Sequence, residues 1–375
     1  MPRWRYADIV GDVEKISQVT DQNALIKRAV QMAIDRICSR WDWTFLMEWT
    51  FFTTVAPVSA GTVSINTGAT AVTGSGTTFT AAMVGRKIRF GSEQAYYTIA
   101  SRSSDTAIVL DQPYQGSANL SGSTYSLYQD EYRLAADLDH YKIIRNIEDG
   151  SAMVDLNPSD FDIWLPTPTG QAPSTVSVPI GSKLTTYSTG TVSATVNTKV
   201  ITGASSPDWL NVQGLGRGSR ITVGTAVYTV STRDSATQLT VYETISPAIA
   251  AATAYSILLD NPIVQLYTIP DAADNIYYRY QRLPYPLVDD EEIPDIPDDY
   301  HWLLIEGALI WAFSHKGDPT RVAFHETTFE AGILNMIKKH GYPSGNRIGR
   351  RRSMDAQIRT PRGLYPSEYD VKWSR

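Results

Sequence analysis

The sequence predicts an α+β protein. A helical core, made of N-terminal helices plus a C-terminal antiparallel helix pair, carries two similar inserted small antiparallel β modules and ends in an extended C-terminal tail. Three observations predict this class: two internal stretches repeat one pattern, helical periodicity flanks them, and the C-terminal stretch has no periodicity at all.

Residues 1–60 are predicted to form the first part of the helical core. A short helix is expected over about 6–17, and Thr20 or Asp21 is the expected N-cap of a second helix. The apolar positions of that second helix form one broad buried stripe. They are Leu25, Ile26, Ala29, Val30, Ala33, Ile34, Ile37 and Cys38. Cys38 is the only cysteine, which excludes an intramolecular disulfide and a multi-cysteine zinc site.

Residues 61–127 and 189–260, the first and second modules, are predicted to be two copies of one antiparallel unit, either a sandwich or a barrel. Both are rich in Thr, Ser, Val and Gly. Five segments recur in the same order: Gly61–Ser64, Thr73–Gly74, Ile88–Gly91, Tyr97–Arg102 and Tyr125–Leu127 match Gly190–Ser193, Thr202–Gly203, Ile221–Gly224, Tyr228–Arg233 and Tyr255–Ile257. Two copies are too few for a solenoid, so they are expected to decorate a core.

Residues 128–188 are predicted to be a strand region of the core, and residues 261–340 to be its further strands and helical hairpin. The alternation over 266–283 favours a strand pair with 271–275 as its turn.

The helical hairpin is predicted from its helix-start and helix-stop residues. Its first helix is expected to open at Pro297, to bury Leu303, Ile305, Leu309, Ile310 and Phe313, and to end at Gly317. Asp318 and Pro319 open the second helix, which Gly341 ends. A connection this short requires the two helices to pack antiparallel.

Residues 341–375 are predicted to be an extended basic C-terminal tail. The total net charge of −6 divides into +5 on this tail and −11 on the rest. The tail has too few apolar residues to fold alone, so it is either a disordered arm or, because aromatic residues lie among its charges, an arm that becomes ordered on a partner. The candidate partner-binding residues are Arg347, Arg350, Arg351, Arg352, Arg359, Arg362, Tyr365, Tyr369 and Trp373.

The sequence contains no catalytic or metal-binding motif, so the protein is predicted to be no enzyme and to need no cofactor. His325 and Glu326 begin a zinc-protease pattern, but Phe329 stands where the second histidine is required. Gly214–Gly218 lacks the lysine of a phosphate-binding loop and is interpreted as a tight β turn. The acidic cluster 289–299 lacks calcium-loop spacing. It is a solvated loop before the helices, or a receiver for a basic arm of a neighbour.

Membrane and secretory segments are not expected. No apolar run follows Met1–Arg5, and the longest strongly apolar run, Trp302–Phe313, is short and contains Glu306. The sequence therefore predicts a soluble protein made in the cytoplasm, without a membrane partner.

Three segments of the predicted core resemble a known family: Tyr128–Leu134, Tyr278–Leu287 and Ile293–Pro297. They resemble segments of tailed-bacteriophage head-to-tail adaptors of the podovirus type, also called tail tubular or head-completion connector proteins. The similarity covers roughly residues 1–60, 128–188 and 261–340. The two modules depart from the smallest adaptors.

The resemblance implies a structural protein of the virion neck that assembles in the host cytoplasm into a homo-oligomeric, commonly dodecameric, ring. Such a ring joins the portal protein to the tail, meets tail nozzle or tail-fibre proteins, and continues the channel for DNA ejection. The tail residues named above would bind the portal through arginine–carboxylate pairs and aromatic anchors. Genomic DNA would pass without specific binding, which agrees with the negative charge of the body. The two modules would form an outer docking collar.

Two other functions are kept as alternatives. In the first, the modules bind carbohydrate or a cell surface, with Tyr96, Tyr97, Trp209 and Tyr228 stacking on sugars. The matching repeat positions of Tyr97 and Tyr228 fit core packing better. In the second, Arg350–Arg352 bind nucleic acid through phosphates, which gives salt-sensitive, non-specific affinity.

Overall fold

The computed structural model describes residues 4–19, 22–148, 150–164 and 170–342. The described chain is mainly β, with four sheets and only about a quarter of its residues in helices. The predicted α+β class with a helical core is therefore wrong. The helical periodicity was local to the two ends, whereas residues 47–60, 128–188 and 261–283 supply strands of two further sheets with a β core of their own.

The chain divides into two compact units. One, the helical unit, combines the chain up to Leu46 with the chain from Asp290 onward. The other, the β unit, runs from Met47 to Asp289. The helices are α1 (Tyr6–Ser17), α2 (Asn23–Cys38), α3 (Pro158–Trp164), α4 (Trp302–Lys316) and α5 (Pro319–His340). All but α3 belong to the helical unit.

The N-terminal helices follow their apolar pattern. All members of the predicted stripe of α2 are buried except Leu25, which is exposed. The tyrosine hydroxyl of Tyr6 in α1 donates to the Lys27 carbonyl oxygen at 2.9 Å, which ties α1 to α2. Thr20 and Asp21, the expected caps, lie outside the described residues.

The antiparallel helix pair α4–α5 forms as predicted. Gly317 ends α4 in the left-handed conformation (φ 73°), and the Asp318 side chain accepts a hydrogen bond from the Arg321 backbone N–H at 3.2 Å to begin α5. The predicted start at Pro297 is too early: Asp298–Tyr300 is a 3₁₀ turn and α4 begins at Trp302. A Cβ at Gly307 would lie 2.6 Å from the Ala33 Cβ, so α2 and α4 approach closely only with glycine there.

Twenty-three strands and α3 make up the described part of the β unit. In chain order the strands are β1 (Met47–Thr53), β2 (Thr62–Ile65), β3 (Ala71–Ser75), β4 (Lys87–Phe90), β5 (Tyr96–Ser104), β6 (Ala107–Leu110), β7 (Leu120–Ser123), β8 (Tyr125–Tyr128), β9 (Glu131–Arg133), β10 (Leu138–Asn146), β11 (Ser151–Ala152), β12 (Val154–Asp155), β13 (Val176–Ser182), β14 (Thr185–Tyr187), β15 (Thr191–Ala194), β16 (Val200–Ala204), β17 (Arg220–Val223), β18 (Ala226–Ser235), β19 (Gln238–Val241), β20 (Ile249–Thr253), β21 (Tyr255–Leu259), β22 (Pro262–Tyr267) and β23 (Asn275–Arg282).

Two four-stranded sheets form the frame of the β unit, in the orders β1-β23-β10-β11 and β12-β13-β22-β9. Their inner faces share one core, which includes Tyr132, Leu266, Tyr278 and Tyr280. The two strands predicted over 266–283 exist as β22 and β23. They are not a hairpin pair, because β22 lies in one sheet and β23 in the other.

The two modules repeat one strand order. The first is β7-β2-β3-β6-β5-β4-β8, and the second is β20-β15-β16-β19-β18-β17-β21 with β14 added beside β21. In each module the outer strands β7 and β8, or β20 and β21, are consecutive in the chain and separated by one residue, Thr124 or Ala254. The two ends of each strand order are therefore joined directly by the chain, as in a barrel, while β14 covers the free edge of β21.

The pairing register repeats as well. Val63 pairs with Gly74 and Val192 with Gly203, while Ile88 and Ile221 each pair with the tyrosine that the sequence aligns, Tyr97 and Tyr228. The strands enter at glycines with the same positive φ of 87°, Gly61 and Gly190, where a Cβ would meet backbone atoms at 2.5 to 2.6 Å.

The first module leaves the frame and returns to it at one place. Val58, before the module, and Leu127, at its end, exchange two backbone hydrogen bonds of 2.8 and 2.9 Å. The chain thus enters and leaves the module side by side.

Candidate functional site

Residues 128–138, here called the junction segment, connect the first module to the frame and contact both modules. The segment contains β9 and all of Tyr128–Leu134, one of the three stretches that carry the family resemblance. Its side chains make polar contacts with the first module through Asp130, with the second module through Asp137, and with the chain flanking the second module through Arg133.

A buried ion pair anchors the first module. The Lys87 ammonium of β4 lies 2.9 Å from an Asp130 carboxylate oxygen and 2.6 Å from a Glu131 carboxylate oxygen. Gln265 on β22 donates to the same oxygen of Asp130 at 2.9 Å. Burial alone would lower the pKa of Lys87, but the two carboxylates outweigh it and raise this pKa above its usual value. The amine therefore stays charged and fixes the module against β9 and β22.

We predict that Lys87→Met loosens this attachment. The substitution leaves the nearly buried Asp130 carboxylate without its cation, so a loss of about 2–3 kcal/mol in the free energy of unfolding is expected, measured by urea denaturation. Arg220→Met is the control, because Arg220 is an exposed cation of the second module, and its substitution is expected to cost under about 1 kcal/mol. Equal losses for the two variants would contradict an anchoring role.

A second ion pair anchors the second module. Arg217 lies in the glycine-rich loop before β17, and its Nε donates to an Asp137 carboxylate oxygen at 2.6 Å. Its terminal nitrogens donate to the Tyr285 hydroxyl at 2.6 Å and to the Glu48 carboxylate of β1. Burial raises the pKa of Asp137 above its usual value, and the Arg217 guanidinium acts against that rise. We call this cluster of Arg217, Asp137, Glu48 and Tyr285 the arginine clamp.

Further hydrogen bonds hold the start and end of the second module at the junction segment. Arg133 of β9 donates to the Lys183 carbonyl oxygen at 2.7 Å, to the Leu259 carbonyl oxygen at 3.2 Å and to the Thr185 hydroxyl. The Asn261 amide nitrogen donates to the carbonyl oxygens of Leu134 and Gly214, each at 2.8 Å. These contacts hold the second module in one orientation relative to the frame.

The polar side chains of the junction segment are held by contacts within the chain. Its carboxylates are engaged by arginine and lysine within the chain, and its tyrosines have raised pKa values because they are buried; the pKa of Tyr128, for example, is raised to about 12. These carboxylates and tyrosines therefore fix the position of the modules relative to the frame.

The arginine clamp was missed by sequence reasoning. Gly214–Gly218 is a turn, as interpreted, with positive φ at both terminal glycines. Its functional feature is Arg217, which has no counterpart in the first module. The connection before β17 in the second module is longer than the equivalent connection before β4 in the first module. This difference in length between the two copies is the sequence signal that could have identified the Arg217 loop.

The acidic cluster is engaged within the chain. In the helical unit, Asp290 lies 2.6 Å from the Lys27 ammonium, and Glu291 lies 2.6 Å from the Arg5 guanidinium. In the β unit, Asp289 lies 2.6 Å from Lys199. Within the helical unit, the Asp290 and Glu291 pairs and a 2.8 Å hydrogen bond from the Tyr6 N–H to the Glu292 carbonyl oxygen tie residues 290–292 to α1 and α2. The cluster is therefore not a purely solvated loop.

Other candidate residues are placed as follows. His325 is partly buried, with its Nδ1 2.7 Å from a Glu306 carboxylate oxygen, so it is an interhelical contact and not a surface pair with Glu326. The nine tail residues predicted to bind a partner, from Arg347 to Trp373, lie outside the described residues.

Three of the four residues proposed to stack on sugars are not accessible. Trp209, Tyr97 and Tyr228 are buried inside the module cores, and only Tyr96 is exposed. Buried rings cannot stack on a glycan.

The described residues contain neither a cluster that could hold a metal ion nor a helix that could span a membrane. No group of three or more His, Cys, Asp or Glu side chains is arranged to hold a metal ion. In the same part of the chain, no helix combines the length and apolar character needed to cross a membrane.

The polar clusters at the junction segment hold both modules on the frame. Residues 182–359 match the family described as SU10 adaptor protein. The match spans the whole second module, β22, β23 and the helix pair, and it includes two of the three resembling segments, Tyr278–Leu287 and Ile293–Pro297. It indicates a bacteriophage structural adaptor and a component of the virion. No curated protein matches the chain.

Proposed function

We propose that the protein is the head-to-tail adaptor of a tailed phage, of the podovirus connector type. In this proposal a ring of copies joins the portal to the tail, meets nozzle or fibre proteins, and continues the DNA channel. The observation that carries it is the adaptor-family match over 182–359. The doubly anchored modules support it, because a docking collar has to be held at fixed positions around a ring.

Charge supports the same proposal. The net charge of −11 outside the tail disfavours adhesion of DNA, as a DNA channel requires. The net positive charge of the protein lies in residues 341–375, which carry +5. Within this proposal the segments 1–60, 128–188 and 261–340, which carry the helical unit and the β frame, build the ring. The modules 61–127 and 189–260 dock tail components, and 341–375 binds the portal.

We predict that truncation after Tyr342 abolishes portal binding and leaves the fold intact. The remaining chain keeps Gly341, whose backbone bridges to Trp43, so α5 stays capped. Binding to a portal ring is measured by co-sedimentation and by negative-stain imaging of the mixture, with circular dichroism as the folding check.

A full-length variant with Arg350, Arg351 and Arg352 changed to Glu tests the same arm without shortening it, and at least a tenfold loss of portal affinity is expected. Unchanged portal binding by both variants would remove the tail from the proposal. Failure of the full-length protein to form rings, alone or on a portal, would refute the adaptor function itself.

A further inference from the structure

The sheet β1-β23-β10-β11 packs one face on the core and leaves the other exposed. On the exposed face Trp49 and Phe51 of β1 are 50% and 53% exposed, and Ile143 of β10 is 38% exposed. The register aligns two rows across the strands: Trp49, Arg279 and Ile143 in one, and Phe51, Tyr277 and Arg145 in the next. We call these six residues the aromatic face.

Side chains of the aromatic face contact one another. The Arg279 guanidinium carbon lies 4.0 Å from the centre of the Trp49 ring, and the Phe51 and Tyr277 rings stack with centres 5.1 Å apart. Trp, Tyr and Arg dominate the binding energy of protein interfaces. Both charged residues of the two rows are arginines, so the face suits a partner that combines apolar groups with carboxylates.

A second surface of the same chain has that complementary chemistry. Ile163 of α3 is 71% exposed, and it lies next to the exposed Asp162 and near Asp160. Phe161 on the opposite side is buried against Val176 and Val178, which fixes the helix to the frame. Residues 146–182 contain five acidic residues and no Lys or Arg.

We propose that the aromatic face of one copy binds α3 of the next copy. Ile163 packs on the Trp49 and Phe51 rings, the Asp162 carboxylate pairs with Arg145, and the Asp160 carboxylate pairs with Arg279. Because the two surfaces differ, the contact is head-to-tail, the type that generates closed rings. The inference rests on the proposed ring function and names the interface that would build it.

The first test is a charge exchange in the full chain. Arg145→Glu and Asp162→Lys are each expected to weaken self-association at least tenfold in sedimentation velocity, because each brings like charges together. The double variant restores opposite charges and is expected to return to within about threefold of wild type. Arg220→Glu, at an exposed site of the second module, is the matched control and is expected to leave association unchanged. Thermal melts confirm that each variant is folded.

The second test mixes two variants, one with a disrupted aromatic face and one with a disrupted α3 surface. Trp49→Ala and Ile163→Asp are each expected to be monomeric alone, whereas an equimolar mixture forms a dimer and nothing larger, because only one intact pair of surfaces remains. Leu184→Asp, at a similarly exposed apolar site, is the control for Ile163→Asp and is expected to assemble like wild type.

The outcomes separate the interface from the function. Rings of wild-type size from both Trp49→Ala and Ile163→Asp would overturn this interface and leave the ring proposal standing. A wild-type chain that stays monomeric would overturn the ring and the interface together. Singles that weaken assembly without rescue in the double variant would overturn the charge pairing.

Discussion

Trp209→Ala is expected to lower the free energy of unfolding of the β unit by about 3–5 kcal/mol, the usual range for removing a fully buried tryptophan. Trp209 has no exposed surface. Its indole N–H donates to the Tyr255 hydroxyl at 3.0 Å, and the two rings meet edge to face with centres 5.9 Å apart. The alanine leaves a cavity at the centre of the second module and an unfilled acceptor on Tyr255. Urea denaturation of the full chain measures the loss.

Two variants test this explanation. Trp209→Phe retains much of the packing, as Phe79 does beside Tyr125 at the equivalent site of the first module, and is expected to cost about 1–2 kcal/mol. Leu210→Ala, at an exposed neighbour, is expected to stay within about 0.5 kcal/mol. A Trp209→Ala protein as stable as Leu210→Ala would show that the second module is not held by this core.

Arg217→Ala is expected to cost about 3 kcal/mol, the lower end of the range for breaking a buried ion pair, because the Arg217 side chain stays 23% exposed. The substitution leaves the Asp137 carboxylate buried without its cation and removes donors from Glu48 and Tyr285. It is also expected to increase proteolysis of the segments that flank the second module, since the orientation of the module is no longer fixed. Urea denaturation and limited trypsin digestion measure the two effects.

The exposed Arg220, three residues away, supplies the control, and Arg220→Ala is expected to change stability by under about 0.5 kcal/mol. Arg217→Lys is expected to fall between the two, because an ammonium group cannot reach Asp137, Glu48 and Tyr285 together. Identical stability and digestion for Arg217→Ala and Arg220→Ala would mean that the arginine clamp does not position the module.

The elements specified by neighbouring residues were predictable from the sequence. The helices α1, α2, α4 and α5 carry a buried stripe or local start and stop residues such as Asp318 and Gly317. The modules were predictable because one pattern occurs twice, so each copy supports the interpretation of the other.

The fold class was not predictable, because it depends on pairing between distant residues. Nothing local in β1 or β10 indicates that β23 will lie between them, and nothing in 266–283 shows that β22 and β23 belong to different sheets. Strand pairing of this kind is set by the whole core, whereas helix periodicity is set within a few turns.

The candidate site was only partly predictable for the same reason. The resembling stretch Tyr128–Leu134 pointed to the junction segment, but its ionic partner Lys87 is 43 positions away, and the clamp joins Arg217 to Asp137 over 80 positions. An arginine in a glycine-rich turn has no local sign of its partners.

The Val58–Leu127 pairing has a consequence for how such a protein can be altered. The polypeptide enters and leaves the first module at two adjacent, hydrogen-bonded backbone positions, here called the two-stranded stem. The number of residues inserted between Val58 and Leu127 can therefore change without changing the geometry of the frame. A short turn, or a foreign domain whose own termini are close together, can be spliced at that stem, provided that a substitute contact is supplied for Asp130. Cargo display or a change of docking specificity can then be engineered without redesigning the rest of the chain.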